Sequence, residues 1–270
     1  MYAGSAGYYV RGRVAYPQEL ADRLADELGL DGTGRLLDVG CGPGSVTLLL
    51  APLFEHATGV DADADMLAEG ALQAAAAGIT NIEWVASRAE DLPPRLGLFR
   101  VVTLAQSFHW MDRDRVARVL YGVLAPDGAL VHVHATTHQG VDTHVALPHA
   151  RPPRGEIDDL VTRFVGPRAG RSRLPPLPPD EAAVGREESA IYSAAGFTGP
   201  TRFEVPGAVV VRSIDDVVAS VFSLSSAAPH LFGDRVDLFE AELRELLVRA
   251  SPEGRFSEQM REIAVDVWRV

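Results

Sequence analysis

The chain has 270 residues, of which 47% are hydrophobic, so it is long and apolar enough to fold around a substantial core. Its formal charge of −12 argues against a broad phosphate-backbone footprint, and we expect no nucleic-acid partner. The single cysteine excludes an intrachain disulfide, and we find neither a charged-then-apolar leader nor an apolar run of about 20 residues, so we expect a cytoplasmic protein without a membrane partner.

Strand and helix patterns alternate in the first half of the chain. Leucines four residues apart predict a helix over 17–28, which leads into the first strand. Further strands are predicted at 35–39, 57–60, 82–85, 100–105 and 129–134, with helices at 45–54, 63–77 and 112–124. This alternation predicts an α/β fold in which a parallel sheet is covered by helices on both faces.

The pattern changes after the fifth predicted strand. Residues 141–186 are rich in proline and arginine and are typical of an extended insertion, and the proline run at 174–179 is incompatible with a helix or a central strand. The remaining predictions are helices at 187–195, 213–223 and 235–249, a strand at 201–211, and a terminal strand at 262–270 that closes the sheet.

Three alternate glycines follow the first predicted strand directly. Gly40 comes two residues after Asp38, Gly42 and Gly44 follow at alternate positions, and a helix is predicted to begin at the next residue, Ser45. Glycine permits positive φ and a close approach of the backbone to a ligand, and the N-terminal end of the helix faces that ligand with its positive pole. The segment therefore predicts a turn that cradles a nucleotide cofactor.

Two classes of adenosine cofactor are compatible with such a turn. Dinucleotide folds prefer the pattern G-x-G-x-x-G, whose third glycine would fall at position 45, where this chain has Ser45 followed by Val46, so the spacing weakens a nicotinamide interpretation. Asp61 follows the second predicted strand and is placed to accept hydrogen bonds from two ribose hydroxyls. Because both cofactor classes require such an acid, Asp61 supports adenosine without choosing between them.

Four segments in order then resemble the class I S-adenosylmethionine-dependent methyltransferases. They are 37–44, 59–61, 89–93 and 124–130, and a fifth segment, 105–110, looks like the fourth motif of the small-molecule branch that includes ubiquinone-type and trans-aconitate-type enzymes. The resemblance covers residues 8–134. It implies a Rossmann-like, seven-stranded, mostly parallel sheet with a partly helical cap, S-adenosylmethionine as cofactor and S-adenosylhomocysteine as product.

The resemblance also implies the cofactor-binding residues. Asp38 and the glycine backbone would surround the methionine part, Asp61 the ribose, and Ala62 with Met66 the adenine ring. Ala89 and Glu90 would lie at the adenine edge, where Arg88 departs from the family's usual acid and leaves Glu90 as the expected partner of the amine. The full set implied is Arg13 and Tyr16 from an N-terminal lid, Asp38, Gly40, Gly42, Gly44, Asp61, Ala62, Met66, Ala89, Glu90 and Gln106.

The resemblance further implies one methyltransferase domain over 1–270. Its parts would be a lid at 1–30, a cofactor-binding core at 31–140, an insertion or cap at about 141–186, and C-terminal sheet and cap helices at 187–270. The acceptor would be a small molecule, whose reacting oxygen, nitrogen or carbon atom the sequence does not distinguish. Two other functions stay open: a non-methylating cyclase or binding protein that retains the cofactor structurally, and an NAD-type dehydrogenase.

Histidines mark the predicted carboxyl ends of the fourth and fifth strands, where ligands sit in doubly wound sheets. Methyl transfer from a sulfonium needs alignment and, for a hydroxyl or amine acceptor, removal of a proton. His109 is the first candidate for this base, with positioning of the substrate as its alternative role, and His138 is the second candidate.

Two further charged or ligating patterns have competing explanations. His132 and His134 share one face of the fifth strand, but few carboxylates lie nearby in sequence, so we expect solvated or core histidines and no metal. Arginines between 151 and 173 either recruit an anionic substrate or form an ordinary solvated face. These arginines are Arg151, Arg154, Arg163, Arg168, Arg171 and Arg173.

Overall fold

The computed structural model describes residues 4–142, 144–166 and 181–270, and the chain divides into two compact units. The larger unit consists of residues 16–135, 173–205 and 263–270, and the smaller unit consists of residues 1–15, 136–172 and 206–262. The smaller unit thus draws on the N-terminal segment, the predicted insertion and part of the C-terminal region. No helix in the described ranges is long and apolar enough to cross a bilayer.

The larger unit contains a seven-stranded sheet, as predicted. In chain order its strands are β1 (Arg35–Val39), β2 (His56–Asp61), β3 (Ile82–Ala86), β4 (Phe99–Ala105), β5 (Leu124–His134), β6 (Thr198–Val205) and β9 (Ile263–Arg269). The spatial order is β3-β2-β1-β4-β5-β9-β6. Strands β1 to β5 are parallel neighbours, whereas β9 runs antiparallel to both β5 and β6. The sheet is therefore mostly parallel, which confirms the predicted Rossmann-like class.

Helices cover both faces of this sheet because its central strands are buried on both sides, with neighbouring apolar residues such as Leu36 and Leu37 pointing to opposite faces. One buried cluster joins Leu36 of β1 to helices α2 (Gln18–Leu28) and α3 (Ser45–Leu50). The other joins Leu37 to α5 (Arg113–Val123) and α7 (Glu181–Ala195). Helix α4 (Ala64–Ala76) connects β2 to β3. The carboxyl ends of β1, β2, β4 and β5 consequently meet along one edge.

The prediction of a single strand over 201–211 is wrong. The segment breaks after β6, and β7 (Val209–Ser213) pairs instead with β8 (Arg255–Gln259) in a separate two-stranded sheet. Pro206 lacks an N–H for the ladder, and a Cβ at Gly207 would lie 1.9 Å from the carbonyl oxygen of Met260. The chain turns at this point against another backbone segment, which only glycine allows.

The smaller unit is built mainly from helices α1 (Ala6–Gly12), α6 (Arg154–Val165), α8 (Ile214–Phe222) and α9 (Val236–Ala250). Helix α6 corrects the prediction that this part of the insertion is extended. Ile157, Leu160 and Phe164 recur at helical spacing and pack into a buried cluster with α8 and α9. The proline run at 174–179 lies outside the described residues.

Candidate functional site

The glycine turn after β1 has the backbone that the sequence predicts. Gly40, Gly42 and Gly44 all have positive φ, at 65°, 54° and 81°. The amides of Gly40 and Cys41 both donate to the carbonyl of Val60, at 2.8 and 3.0 Å, which joins the turn to the end of β2. The turn is thus a fixed bend between the carboxyl ends of two parallel strands.

The three glycines serve different steric purposes. A Cβ at Gly40 would lie 2.5 Å from the Cβ of Ser107, and one at Gly44 would lie 2.5 Å from the indole of Trp84. A Cβ at Gly42, in contrast, would meet no protein atom within 4 Å. Gly40 and Gly44 therefore admit protein neighbours, whereas Gly42 requires glycine only for its left-handed backbone. The sequence did not single out Ser107 or Trp84.

Asp61 lies beside this turn, at the end of β2. Its Oδ2 accepts a hydrogen bond from the Gly42 amide at 2.8 Å, and its Oδ1 accepts one from the Asp63 amide at 2.9 Å. A carboxylate oxygen can accept two hydrogen bonds, so each oxygen keeps one acceptor position. Burial raises the pKa of Asp61, and the two backbone donations oppose that rise. The carboxylate suits a pair of hydroxyls presented side by side, as on a ribose.

Asp38 is occupied by the protein itself. Its side chain is buried within the sheet, and its two oxygens accept hydrogen bonds from the hydroxyls of Thr47, at 2.6 Å, and Thr103, at 2.7 Å. Burial raises the pKa of Asp38 to about 6, against the lowering effect of these hydroxyls. The carboxyl therefore ties β1 to β4 and to helix α3. Any effect of Asp38 on a ligand passes through the shape of the turn.

Of the predicted adenine-binding residues, Ala62 precedes α4, Met66 lies in its first turns, and Ala89 and Glu90 lie in a 3-10 turn, Ala89–Asp91. Ala62 is exposed, while Met66, Ala89 and Glu90 are buried. Glu90 Oε1 accepts a hydrogen bond from the Asp112 amide at 2.9 Å and lies 3.3 Å from Arg88 Nη2. Burial acts to raise the pKa of Glu90, but these two partners outweigh it and the net shift is downward. Glu90 is thus engaged with protein donors, and Arg88 is its partner.

The end of β4 brings the fourth motif against the glycine turn. Gln106 is a non-glycine residue with positive φ, at 57°. The hydroxyl of Ser107 donates to the carbonyl of Val39 at 2.7 Å, and the 3-10 turn Phe108–Trp110 follows. Burial, and then the charge of Arg113, lower the pKa of His109. His109 is therefore a neutral imidazole at pH 7, on the same edge of the sheet as Asp61.

His138 and Arg13 belong to the smaller unit. Arg13 donates to the hydroxyl of Ser223 at 2.9 Å and lies 3.4 Å from the imidazole of His138. Burial, followed by the charges of Arg13 and Arg154, lowers the pKa of His138 to about 3, so this imidazole is a poor proton acceptor. Tyr16 packs against the core of the larger unit. The lid role of Arg13 and Tyr16 stays a prediction.

The described arginines of the basic stretch are paired with acids. Arg154 donates to both oxygens of the fully buried Glu258, at 3.1 and 2.8 Å, and Arg212 donates to the same carboxylate at 3.3 Å. Arg151 pairs with Asp142, and Arg163 with Glu242. Arg168, Arg171 and Arg173 lie outside the described residues. Arg154 thus neutralises a buried acid of the smaller unit, and all three described arginines already have acidic partners, which weakens the case for recruitment of an anionic substrate.

A second polar cluster lies at the end of β5. His132 and His134 stack with their ring centroids 4.1 Å apart, and Glu188 Oε2 of helix α7 lies 3.6 Å from His132 Nδ1. Asp266 of β9, the strand partner of His132, lies 3.2 Å from His134 Nε2. The sequence pointed to the two histidines but not to the two acids, which lie more than 50 residues away along the chain.

Comparison with known proteins agrees with the fold and the glycine turn. Residues 36–128 match the model of a methyltransferase domain. An uncharacterized methyltransferase of Mycobacterium tuberculosis is 31% identical over 129 residues, which are 48% of this chain and 49% of that protein. An uncharacterized methyltransferase of Bacillus subtilis, YcgJ, is 30% identical over 37% of this chain and 40% of its own length. The chain thus spans about half the length, or less, of these two curated relatives.

Solved structures resemble the chain over nearly its whole length. The YcgJ protein of Bacillus subtilis aligns with a TM-score of 0.51 and 18% identity, covering 94% of this chain and 98% of that one. The [4+2]-cyclase SpnF aligns with a TM-score of 0.53 and 20% identity, covering 96% and 84%. At such identities the likeness establishes the fold.

Proposed function

We propose that this chain, whose residues 36–128 match a methyltransferase domain, transfers a methyl group from S-adenosylmethionine to a small-molecule acceptor. The observation that carries the proposal is the contact between Asp61 and Gly42, at 2.8 Å. It puts a carboxylate with free acceptor positions directly against a bare, positive-φ backbone turn. The carboxylate fits a ribose with two adjacent hydroxyls. The bare backbone turn fits the chain attached to that ribose, which must approach the main chain closely.

The residues around the turn divide the cofactor between them. Asp61 would accept from the ribose hydroxyls, and the backbone of Gly40 and Gly42 would lie along the methionine part. The apolar side chains of Ala62 and Met66 would contact the adenine ring, with Ala89 beyond it. Glu90 is less suited to the adenine amine than the sequence suggested, because Oε1 already accepts from Asp112.

The reaction would be an in-line displacement at the methyl carbon. The acceptor's electron pair forms the new bond to carbon as the carbon–sulfur bond breaks, and the sulfur keeps the bonding electrons in S-adenosylhomocysteine. A hydroxyl or amine acceptor also loses a proton. His109 is neutral, so one of its ring nitrogens is free to accept that proton. Its lowered pKa, however, makes His109 a weaker base than an exposed histidine. We therefore assign His109 mainly to positioning of the acceptor.

The acceptor class is a small molecule. The net charge of −12 disfavours a polyanionic substrate, and the pairing of Arg151, Arg154 and Arg163 with acids leaves those cations engaged. A glycine turn and a single carboxylate give no information about whether oxygen, nitrogen or carbon receives the methyl group. An acceptor screen is needed to supply that identity.

The cofactor site is tested by replacing Asp61 with asparagine. Asp61→Asn removes the charge and one acceptor oxygen, and we expect the dissociation constant for S-adenosylmethionine to rise about 100-fold, because hydrogen bonds to a charged group are worth about 1.5–3 kcal/mol each. Asp63→Asn is the matched control, since this neighbouring acid only caps α4 through the Asp65 amide. Titration calorimetry with both variants gives the comparison. Equal affinity in the two variants would exclude Asp61 from the site.

The reaction class is tested by product analysis. Incubation with the donor and a panel of phenols, amines, carboxylic acids and activated methylenes should yield S-adenosylhomocysteine and one methylated acceptor, detected by mass spectrometry. A donor that binds tightly and is never demethylated would instead indicate a cyclase or a structural cofactor. Binding of a nicotinamide dinucleotide in place of S-adenosylmethionine would indicate a dehydrogenase.

A further inference from the structure

We propose that His132, His134 and Glu188 form a site for one divalent transition-metal ion, and that zinc suits it best. One ligand atom from each of the three side chains can be chosen so that all lie within 4.8 Å of one another. Two imidazoles with one carboxylate are a recurrent ligand set for catalytic zinc, in which a fourth position stays open for water or substrate. The chain thus places a chemically coherent set at the end of β5, where the sequence predicted none.

The spacing of the ligand atoms is close to what the metal needs. His132 Nδ1 and Glu188 Oε2 are 3.6 Å apart. Two tetrahedral ligands at about 2.1 Å from zinc are separated by about 3.4 Å, so this edge needs almost no change. The third ligand atom, from His134, lies within 4.8 Å of the other two, and a rotation of its side chain would close the set. Its side chain is 29% exposed, whereas those of His132 and Glu188 are 6% and 8% exposed, so the adjustment falls on the least confined member.

A second layer of groups orients the ligands. Asp266 Oδ2 lies 3.2 Å from His134 Nε2 and also accepts from Arg202 Nη2 at 3.1 Å. A carboxylate that accepts a hydrogen bond from one imidazole N–H leaves the other ring nitrogen unprotonated and able to ligate a metal. This is the usual carboxylate–histidine–metal arrangement. Arg202 holds that carboxylate in place. With its proton on Nε2, facing Asp266, His134 would ligate the metal through Nδ1.

The strand register explains why these groups converge. His132 and His134 alternate onto one face of β5, and Asp266 is the antiparallel β9 partner of His132. Helix α7 covers this face, stacks Tyr192 against Phe108 at 5.0 Å, and brings Glu188 alongside four residues earlier. The apolar rings around His132 exclude water from one side of the cluster. A cation would lie in a pocket with dry walls and one exposed side.

The charges around the cluster are balanced enough to accept a cation. Glu188, Asp266 and the neighbouring Glu187 carry negative charge, while Arg113 and Arg202 carry positive charge, with Arg113 bound to Glu187 at 2.6 Å. With neutral imidazoles the local sum is −1, and a divalent ion changes it to +1. The hydroxyl of Tyr192, 3.1 Å from His132 Nδ1, is the competing partner that the metal would displace.

The site lies at the same sheet edge as Asp61 and His109. An oxygen or nitrogen of the acceptor can fill the open fourth position, which would orient it for methyl transfer. That role rests on the proposed function, whereas metal binding itself does not. The two ideas are separated because metal binding is measured on the protein without the methyl donor, and donor binding on the protein without metal.

The test is zinc binding by the chain purified without a histidine tag and stripped with chelator. Competition with a chromophoric zinc chelator should give one equivalent per chain, and cobalt should give a visible spectrum of tetrahedral or five-coordinate type. His134→Ala and Glu188→Gln should each weaken zinc binding at least tenfold. His134 is partly exposed, and glutamine has nearly the same shape as Glu188, so both variants should fold. Circular dichroism verifies that they do.

Matched controls come from a surface pair and from the competing hydroxyl. His56 lies 3.8 Å from Glu83 on the protein surface, so His56→Ala removes a histidine next to an acid outside the cluster and should leave zinc affinity unchanged. Tyr192→Phe removes the competing hydroxyl and should leave affinity equal or higher. Absence of stoichiometric binding in the wild type, or binding that His134→Ala and Glu188→Gln both leave intact, would overturn the proposal.

Discussion

The two halves of one sheet edge are built in different ways. At the end of β1 and β2, the turn is shaped by backbone amides and by acids within about 25 residues of one another, such as Asp38 and Asp61. At the end of β5, side chains from three distant segments meet, as His132, Glu188 and Asp266 do. The first half offers oxygen acceptors and bare backbone, and the second offers imidazole nitrogens.

The difference suggests a division of work along the edge. Backbone and carboxylate groups suit a cofactor whose sugar and main-chain-like portion are the same in every reaction. Side chains drawn from α7 and β9 can vary independently of that turn, which suits the recognition of a particular acceptor. The two halves meet at β4, where Ser107 donates to Val39 and His109 follows.

The first prediction separates the steric from the conformational part of the turn. Gly40→Ala should lower the free energy of unfolding by about 4 kcal/mol, because its Cβ would overlap Ser107 at 2.5 Å in addition to the strain of positive φ. Gly42→Ala has only the backbone strain and should cost about 1 kcal/mol. Urea denaturation of both variants gives the comparison. Equal losses would show that Ser107 moves aside without cost.

A second prediction concerns the buried acid of β1. The pKa of Asp38 is raised from the ordinary 3.8 to about 6, so the folded state holds the proton more tightly than the unfolded state. Stability from this group is complete below pH 3.8 and is lost as the pH rises through about 6, by at most about 3 kcal/mol. Asp38→Asn can keep the contacts to Thr47 and Thr103 and should remove this loss.

That loss is measured from urea denaturation at half-unit steps between pH 3.5 and about 7.5. Asp63→Asn is again the reference, since Asp63 caps an exposed helix end. If wild type and Asp38→Asn have parallel pH profiles, Asp38 does not titrate with a raised pKa.

A third prediction moves to the boundary between the two halves. His109→Gln should reduce turnover by less than about tenfold, which is about 1.4 kcal/mol in the barrier, because positioning by an imidazole is partly replaced by the amide. The pH–rate profile should keep its shape. A fall of a hundredfold or more, with loss of one limb of the profile, would instead make His109 the general base.

The smallest expected effect is on the second half of the edge. Asp266→Asn breaks the ion pair with Arg202, which is about half exposed, and should cost about 1 kcal/mol of stability. It should weaken zinc binding by about tenfold, because His134 loses the carboxylate that fixes its tautomer. A loss of stability without any change in zinc affinity would show that Asp266 does not support the metal cluster.

The sequence was most informative where the candidate site is formed by residues that are close together along the chain. The strand, glycine turn and Asp61 were predicted correctly in position, because positive φ and a strand end leave local signals such as Gly40-x-Gly42-x-Gly44. The acids Glu188 and Asp266 left none, since a glutamate on a helix and an aspartate on a terminal strand are ordinary until tertiary contacts bring them to His132 and His134.

The errors have equally specific causes. Residues 201–211 alternate as one strand would, and the break is set by Pro206 and by the contact of Gly207 with Met260. The sequence left open whether the arginines of the insertion recruit an anionic substrate or form a solvated face, but Arg154 is neutralised by Glu258, about 100 residues away. Both facts depend on long-range packing, which periodicity and local charge do not encode.

The indole of Trp84 occupies a notch formed by three glycines. Cβ atoms at Gly44, Gly59 and Gly70 would each lie between 2.5 and 2.8 Å from its six-membered ring. Those glycines come from the helix start after the turn, from β2 and from α4. One large aromatic side chain therefore leaves no space for a Cβ at any of the three positions. A side chain can enter any of these positions only together with a smaller residue at 84, and the fluorescence of Trp84 offers a built-in reporter of events at the turn.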